Sequence, residues 1–115
     1  MLERYVVVDL EMTGLNPRRD RILEIGAARV EHREVTAQYE TFVNPGVCIP
    51  EKVRELTGIT DEMVKDAPRI SEILPDFIAF CADDIFVGHN VIFDYSFLKQ
   101  AAINEKLSFE RQAVD

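Results

Sequence analysis

The chain is 115 residues long, 47% hydrophobic and 30% charged, with a formal net charge of −8. That length makes one domain with enough apolar material for a core, and no apolar run approaches the roughly 20 residues of a membrane-spanning helix. The acidic balance excludes a basic protein that coats nucleic acid by charge alone; carboxylates that hold metal ions would count as negative yet be neutralised in a working site.

The N-terminus, Met1-Leu2-Glu3-Arg4, lacks the basic and apolar segments of a signal peptide and leads directly into a strand, so a cytoplasmic location is expected. Residues 4–12 carry the β-branched run Val6-Val7-Val8, which reads as a buried strand. At its end stand Asp9 and Glu11, two apart and therefore on one face of the strand. Two like charges held at the edge of a core raise each other's pKa or cost stability unless a cation lies between them. An oxygen-only donor set favours Mg²⁺ or Mn²⁺ over zinc. A strand running out into solvent would explain a lone Asp-x-Glu equally well, but Thr13-Gly14 follows at once and indicates a tight turn where backbone can approach a ligand.

Asn16-Pro17-Arg18-Arg19-Asp20 is a turn, and Arg21 to Val30 a second strand. Arg18, Arg19 and Arg21 form the densest basic cluster; a solvated turn is the plain reading and a phosphate contact the alternative. Glu31 to Glu34 is a polar connection, and Tyr39 to Val43 a third strand stopped by Asn44-Pro45-Gly46. Short links between three successive strands predict an antiparallel meander. Pro50 opens a short helix, Glu51 to Leu56, that Gly58 closes. Thr60 is the expected N-cap of a further turn carrying Asp61 and Glu62. Ile70, Ile73, Leu74, Phe77, Ile78 and Cys81 follow a helical period, with Pro75 a local conflict. Cys81 falls on the apolar face and pairs with nothing; Cys48 is likewise read as a reduced thiol. Asp84 to Gly88 is a fourth strand, and Asn90 caps a last helix running to about Asn104. A strand, a crossover helix and another strand predict a mixed sheet with helices packed on it. A fifth strand would begin near Val114, where the chain stops.

In the last helix Asp94 shares a stripe with Leu98 and Ala101 that should face the sheet. Hydration in a first helical turn, where the helix dipole favours an acid, accounts for Asp94 taken alone. If the first and fourth strands are parallel neighbours, their carboxyl ends open on the side where α/β sheets place ligands. Asp9, Glu11 and Asp94 converging there could hold two divalent ions about 4 Å apart, as in-line phosphoryl chemistry uses.

Asp9-Leu10-Glu11-Met12-Thr13-Gly14-Leu15 resembles the first motif of the DEDD-type 3′–5′ exonucleases, and Gly88-His89-Asn90-Val91-Ile92-Phe93-Asp94 their second. Phe42-Val43-Asn44-Pro45 and Leu56-Thr57-Gly58-Ile59-Thr60-Asp61-Glu62-Met63 are similar to the branch containing the bacterial DNA polymerase III epsilon-subunit proofreading exonucleases. The resemblance implies a ribonuclease-H-like α/β fold: three antiparallel strands, then parallel ones, flanked by helices. It makes Asp9, Glu11 and Asp94 the metal ligands and catalytic acids, with two Mg²⁺ or Mn²⁺ ions as cofactors. Met12 and Thr13 would border the terminal nucleotide, and Phe93 would pack on a base or sugar, although core packing explains Met12 and Phe93 as readily. Thr57 stands where some relatives carry a substrate-contacting histidine.

The family's third motif, a general-base histidine and a fourth carboxylate on a helix after the fifth strand, has no counterpart here. His32 lies in a polar connection and His89 belongs to the second motif. Residues 1–115 are therefore expected to be a single exonuclease domain incomplete at its C-terminus, lacking the last strand and helix, exposing apolar surface and weakly active or inactive. The implied function is a metal-dependent exonuclease releasing nucleoside monophosphates from single-stranded or frayed DNA 3′ ends, in proofreading or repair, with a DNA polymerase subunit as partner and no membrane. Asp-Leu-Glu-Met-Thr-Gly-Leu is also typical of oligoribonucleases, which trim short RNA. The alternative from another class is a non-catalytic module that binds nucleic-acid ends or a polymerase.

Overall fold

The computed structural model describes residues 3–115; Met1 and Leu2, the lead into the first strand, lie outside the described residues. Its elements are β1 (Arg4–Met12), β2 (Ile22–Glu31), β3 (Glu34–Phe42), α1 (Glu51–Thr57), α2 (Asp61–Val64), α3 (Ile70–Cys81), β4 (Ile85–Val87), α4 (Val91–Asn104) and β5 (Ala113–Val114). They build a five-stranded sheet in the order β3-β2-β1-β4-β5. β1, β2 and β3 are antiparallel, and β4 adds to β1 in parallel, with Val6 opposite Phe86 and Val7 opposite Val87. This is the mixed sheet the motifs imply, and it places the carboxyl ends of β1 and β4 side by side.

The sheet has one strand more than expected. Ala113–Val114 pairs in parallel with Phe86–Val87, and β4 donates Phe86 N–H to the Gln112 carbonyl at 2.8 Å. Two residues suffice because the edge of β4 offers an unpaired row of backbone groups. β3 also begins earlier than its apolar residues suggest. His32 and Arg33 turn the chain with φ of 51° and 71°, so pairing starts at once, with Glu34 opposite Glu31. Glu34 to Gln38 form a largely exposed edge strand and need no apolar alternation to do so.

β1 is covered on one face only. Val6, Val8 and Leu10 are buried beneath α3 and α4 with Ile25, Leu74, Phe77, Phe86, Val91, Phe97 and Leu98. Val7 points the other way and remains 38% exposed, so the β-branched run marks a strand without marking burial on both sides. Val114 on the same uncovered sheet, and Ile92 and Ile103 on α4, are also exposed. A smaller cluster of Leu23, Ile49, Ile59 and Val64 seats α1 and α2 at the end of β2. Gly58 ends α1 with φ 76°, and Thr60 caps α2 by accepting the Met63 N–H at 3.3 Å. Pro75 sits in the second turn of α3, where its ring nitrogen cannot donate to the Ser71 carbonyl; the buried face of Ile73, Leu74, Phe77 and Cys81 holds the helix together regardless.

Candidate active site

The D-x-E pair stands where β1 leaves the sheet. Alternation puts Val8 and Leu10 into the core and turns Asp9 and Glu11 to the opposite face, Asp9 exposed and Glu11 half-buried. Asp94 comes from the first turn of α4, delivered there by the parallel β4 strand. Its Oδ2 accepts the backbone N–H of Leu10 at 3.3 Å. Leu10 is the residue between Asp9 and Glu11, so this bond fixes the third acid to the middle of the pair.

The electrostatics record the crowding. The Asp94 carboxyl is pushed up to about 6, by burial first and by the neighbouring Asp9 and Glu11, against the Leu10 N–H, which draws it down. Glu11 is raised by burial first, then by Asp9 and Glu24. None of Asp9, Glu11 and Asp94 joins an ion pair among the described residues. A set of oxygen donors that repel one another and have no protein cation suits a hard divalent ion. As the side chains stand, no three His, Cys, Asp or Glu among the described residues form a group that could hold a metal ion. The chemistry of the donors fits a cation, although the side chains do not enclose one.

Two further acids belong to this face, and a strand-by-strand reading of the sequence passes over them. Glu24 lies directly across from Glu11, and Gly26 separates Asp9 on β1 from Glu40 on β3. Gly26 has no side chain to fill the space, leaving an open hollow of ≈ 300 Å³ lined by Val7, Asp9, Gly26, Ala28, Gln38 and Glu40 among others. Glu24 is raised by burial, then by Glu40 and Asp9. The signal for Glu24 was a carboxylate among the apolar residues of a strand, but only the register shows that it meets Glu11.

The remaining candidates divide. Thr13 is buried, and its Oγ1 accepts the Arg21 N–H at 2.9 Å while its own N–H donates to the Arg21 carbonyl at 2.8 Å. That pair of hydrogen bonds ties the end of β1 to the start of β2. Met12 is half-buried against the core, and Phe93 meets Phe97 edge-on at 5.4 Å between centroids. Thr57 lies at the end of α1, donating to the Val53 carbonyl at 2.8 Å and accepting the Ile59 N–H at 3.1 Å; these bonds close the helix.

Two local expectations change. Gly14 does not open the turn to a ligand: a Cβ there would stand 2.3 Å from Asp20 Oδ2, which fills the space and accepts the Asn16 N–H at 2.9 Å. Asn90 holds the N-cap position of α4 in the left-handed region but makes no side-chain cap bond. Asp115 supplies it instead, its Oδ1 accepting the Val91 N–H at 2.8 Å. His32 sits in the β2–β3 turn, beyond Glu31, which pairs with Arg4, so it lies about 17 Å along the strands from Asp9. His89 is exposed in the turn before α4.

The exonuclease family model (RNase_T) matches residues 6–112, and the chain belongs to that family. The resemblance to the exonuclease family read from the motifs holds. The chain is 43% identical over 111 residues to the PolC-type DNA polymerase III of Caldanaerobacter subterraneus subsp. tengcongensis, covering 96% of this chain and 8% of that relative. It is 42% identical over 96 residues to DNA polymerase III subunit epsilon of Aquifex aeolicus, covering 84% of this chain and 48% of the relative. It therefore spans less than half of either relative. E. coli exonuclease I in complex with a dT13 oligonucleotide shares the fold, with a TM-score of 0.85 over 99% of this chain and 28% of that one, at 16% identity. No helix among the described residues is long and apolar enough to cross a membrane.

Proposed function

We propose that the protein is a divalent-metal-dependent 3′–5′ exonuclease that removes nucleoside monophosphates from DNA 3′ ends in the proofreading or repair setting of a bacterial DNA polymerase III, in the cytoplasm. The observation that carries this is the Asp94 bond to Leu10, which brings the acid of α4 to the backbone between Asp9 and Glu11. Kinship with PolC-type and epsilon chains supports the DNA substrate and the polymerase partner.

Asp9, Glu11 and Asp94 would hold two Mg²⁺ or Mn²⁺ ions, which supply water activation and stabilisation of the leaving 3′ oxygen. Leu10 N–H orients the Asp94 carboxylate, so the site is aimed by backbone that the sheet itself holds rigid. Thr13 braces the strand end just beyond the pair. Phe93 and Met12 form the half-buried apolar border against which a terminal base or sugar would pack. The resemblance calls for a general-base histidine, and neither His32 nor His89 fills that role. Residues 1–115 by themselves thus turn over slowly, since such a base is commonly worth ~10²–10⁴-fold in rate.

The test is hydrolysis of 5′-labelled single-stranded DNA and RNA of matched sequence with Mn²⁺, reading mononucleotide release. DNA shortened from its 3′ end, and Asp9→Ala inactive but folded, is the expected result. RNA cut much faster than DNA would overturn the proofreading reading in favour of an oligoribonuclease, and full activity of Asp9→Ala would overturn the site. Tight end-binding without cleavage under any divalent ion would leave a binding module.

A further inference from the structure

We propose that the cleft between the β1–β2 turn, the β3–α1 loop and the start of α3 holds the phosphate backbone of the strand upstream of the acids, an assignment that rests on the exonuclease reading of the neighbouring site. The cleft has a volume of ≈ 340 Å³, and Arg18, Arg21 and Arg69 line it together with Asn44, Ser71 and Asn104. Arg18 and Arg21 belong to the basic cluster that a solvated turn would explain in the sequence. The fold adds Arg69, 48 positions beyond Arg21, and closes the three around one concave surface.

Arg4, Arg19, Arg29 and Arg54 each pair with a carboxylate, whereas Arg18, Arg21 and Arg69 join no ion pair among the described residues. The lack of a carboxylate partner is shared by Arg111 outside the cleft, whose guanidinium is instead bonded to the Glu110 and Ala82 carbonyls. Arg21 is steered by a 3.4 Å bond from its Nη1 to the Pro45 carbonyl. Arg69 lies over Gly46, where a Cβ would come within 2.6 Å of its Nη1. The absent side chain thus lets the guanidinium settle against the loop. Two acids also line the cleft: Asp20 is bound to the Asn16 N–H, and Glu105 is exposed at the far end of α4.

The cleft continues the acid site. Phe97, Ala101 and Asn104 line it, and with Asp94 they form one stripe of α4, three, seven and ten residues on. At 1.5 Å per residue they lie roughly 5 to 15 Å along the helix from Asp94. That is about one to four nucleotides of a strand whose phosphates advance about 3.4 Å each in stacked form. Arg21 is also the residue bonded twice to Thr13, two positions beyond Glu11, so the basic wall and the acidic end are held in one frame. Guanidiniums bind phosphate oxygens in a bidentate fork, which suits a polyanion threaded past them.

Fluorescence anisotropy with 5′-fluorescein dT2 and dT8, in Ca²⁺ and over a salt series, tests this. Wild type is expected to bind dT8 at least tenfold more tightly than dT2. Arg18→Gln/Arg69→Gln should lose at least tenfold in dT8 affinity, and the slope of log affinity against log salt should fall by about 1.4, near 0.7 per lost single-strand phosphate contact. The charge-matched Lys52→Ala/Arg54→Ala, outside the cleft, should bind dT8 as wild type does. An unchanged affinity and slope in the arginine variant, or an equal loss in the control, overturns the cleft. So does dT8 binding no tighter than dT2, while leaving the exonuclease reading intact. Failure of wild type to bind either oligonucleotide overturns both. Displacement of dT8 by octaglutamate as effectively as by unlabelled dT8 overturns the nucleic-acid assignment in favour of an acidic peptide.

Discussion

Asp94→Asn separates the cost of the third acid from its geometry. In the folded chain this carboxyl is raised from an ordinary value of 3.8 to about 6, first by burial and then by Asp9 and Glu11. A raised acid keeps its proton in the folded state over a range where the unfolded chain has already lost it. Stability therefore falls as pH rises from about 4 to about 6, and stays lowered above that. At about 1.4 kcal/mol per pH unit the gap would amount to about 3 kcal/mol for a group sealed from water. Asp94 is only half-buried, and solvent screening reduces the penalty to about 1 kcal/mol. Asparagine keeps an oxygen that can accept the Leu10 N–H and removes the charge. The variant should thus gain about 1 kcal/mol at pH 8, near 4 °C in Tm for a chain of this size, and gain nothing at pH 4. Thermal and urea melts followed by circular dichroism in EDTA, from pH 4 to 8, read both ends. Equal gains at pH 4 and pH 8, or a loss at pH 8, would refute the electrostatic account.

Millimolar Mn²⁺ or Mg²⁺ should raise the Tm, because an ion bound only by the folded state stabilises it by about 1.4 kcal/mol at tenfold its Kd; Asp9→Ala should abolish the rise, and a flat wild-type titration would count against convergence of the acids. Phe77→Ala should cost about 3–5 kcal/mol in urea denaturation, since the ring is fully buried and packs on Tyr39 at 5.2 Å between centroids. Gly14→Ala should cost about 1–2 kcal/mol by evicting the Asp20 carboxylate from the Asn16 N–H. In an Asp20→Ala background the same change should cost almost nothing, and a full additional loss there would place the strain elsewhere.

The legible parts of the fold are those fixed by local chemistry. The period of Ile70 to Cys81, the Thr60 cap and the left-handed Gly58 each follow from a few neighbouring residues, and each stands in the structure. The first half of β3 was hidden because an edge strand can be polar on both faces, and His32-Arg33 turns the chain without glycine or asparagine. The Asp115 cap on α4 was hidden because it joins residues 24 apart through β5, a strand of two residues. At the site, the period of two made Asp9 and Glu11 a pair, and the helical stripe singled out Asp94. The bond to Leu10 depends on how α4 follows β4 beside β1, and no local pattern encodes that. Glu24 and Glu40 needed the antiparallel register for the same reason.

On the proposed function, register also explains how a chain of net charge −8 would accommodate a polyanion. The sheet gathers Asp9, Glu11, Glu24 and Glu40 on its uncovered face, where burial and then the neighbouring acids raise Glu11 and Glu24, and where none of the four joins an ion pair among the described residues. A phosphate could not approach that surface unaided; with divalent ions on the acids, the local sign reverses. The arginines of the cleft sit on the other flank of the β1–β2 turn and need no ion to attract phosphate. On the proposed function the two regions therefore respond oppositely to a chelator: contacts at the acids are lost with the metal, and those at Arg18 and Arg69 persist. Oligonucleotide binding that survives EDTA, with reduced affinity and an undiminished dependence on the two arginines, is the behaviour this division of charge requires.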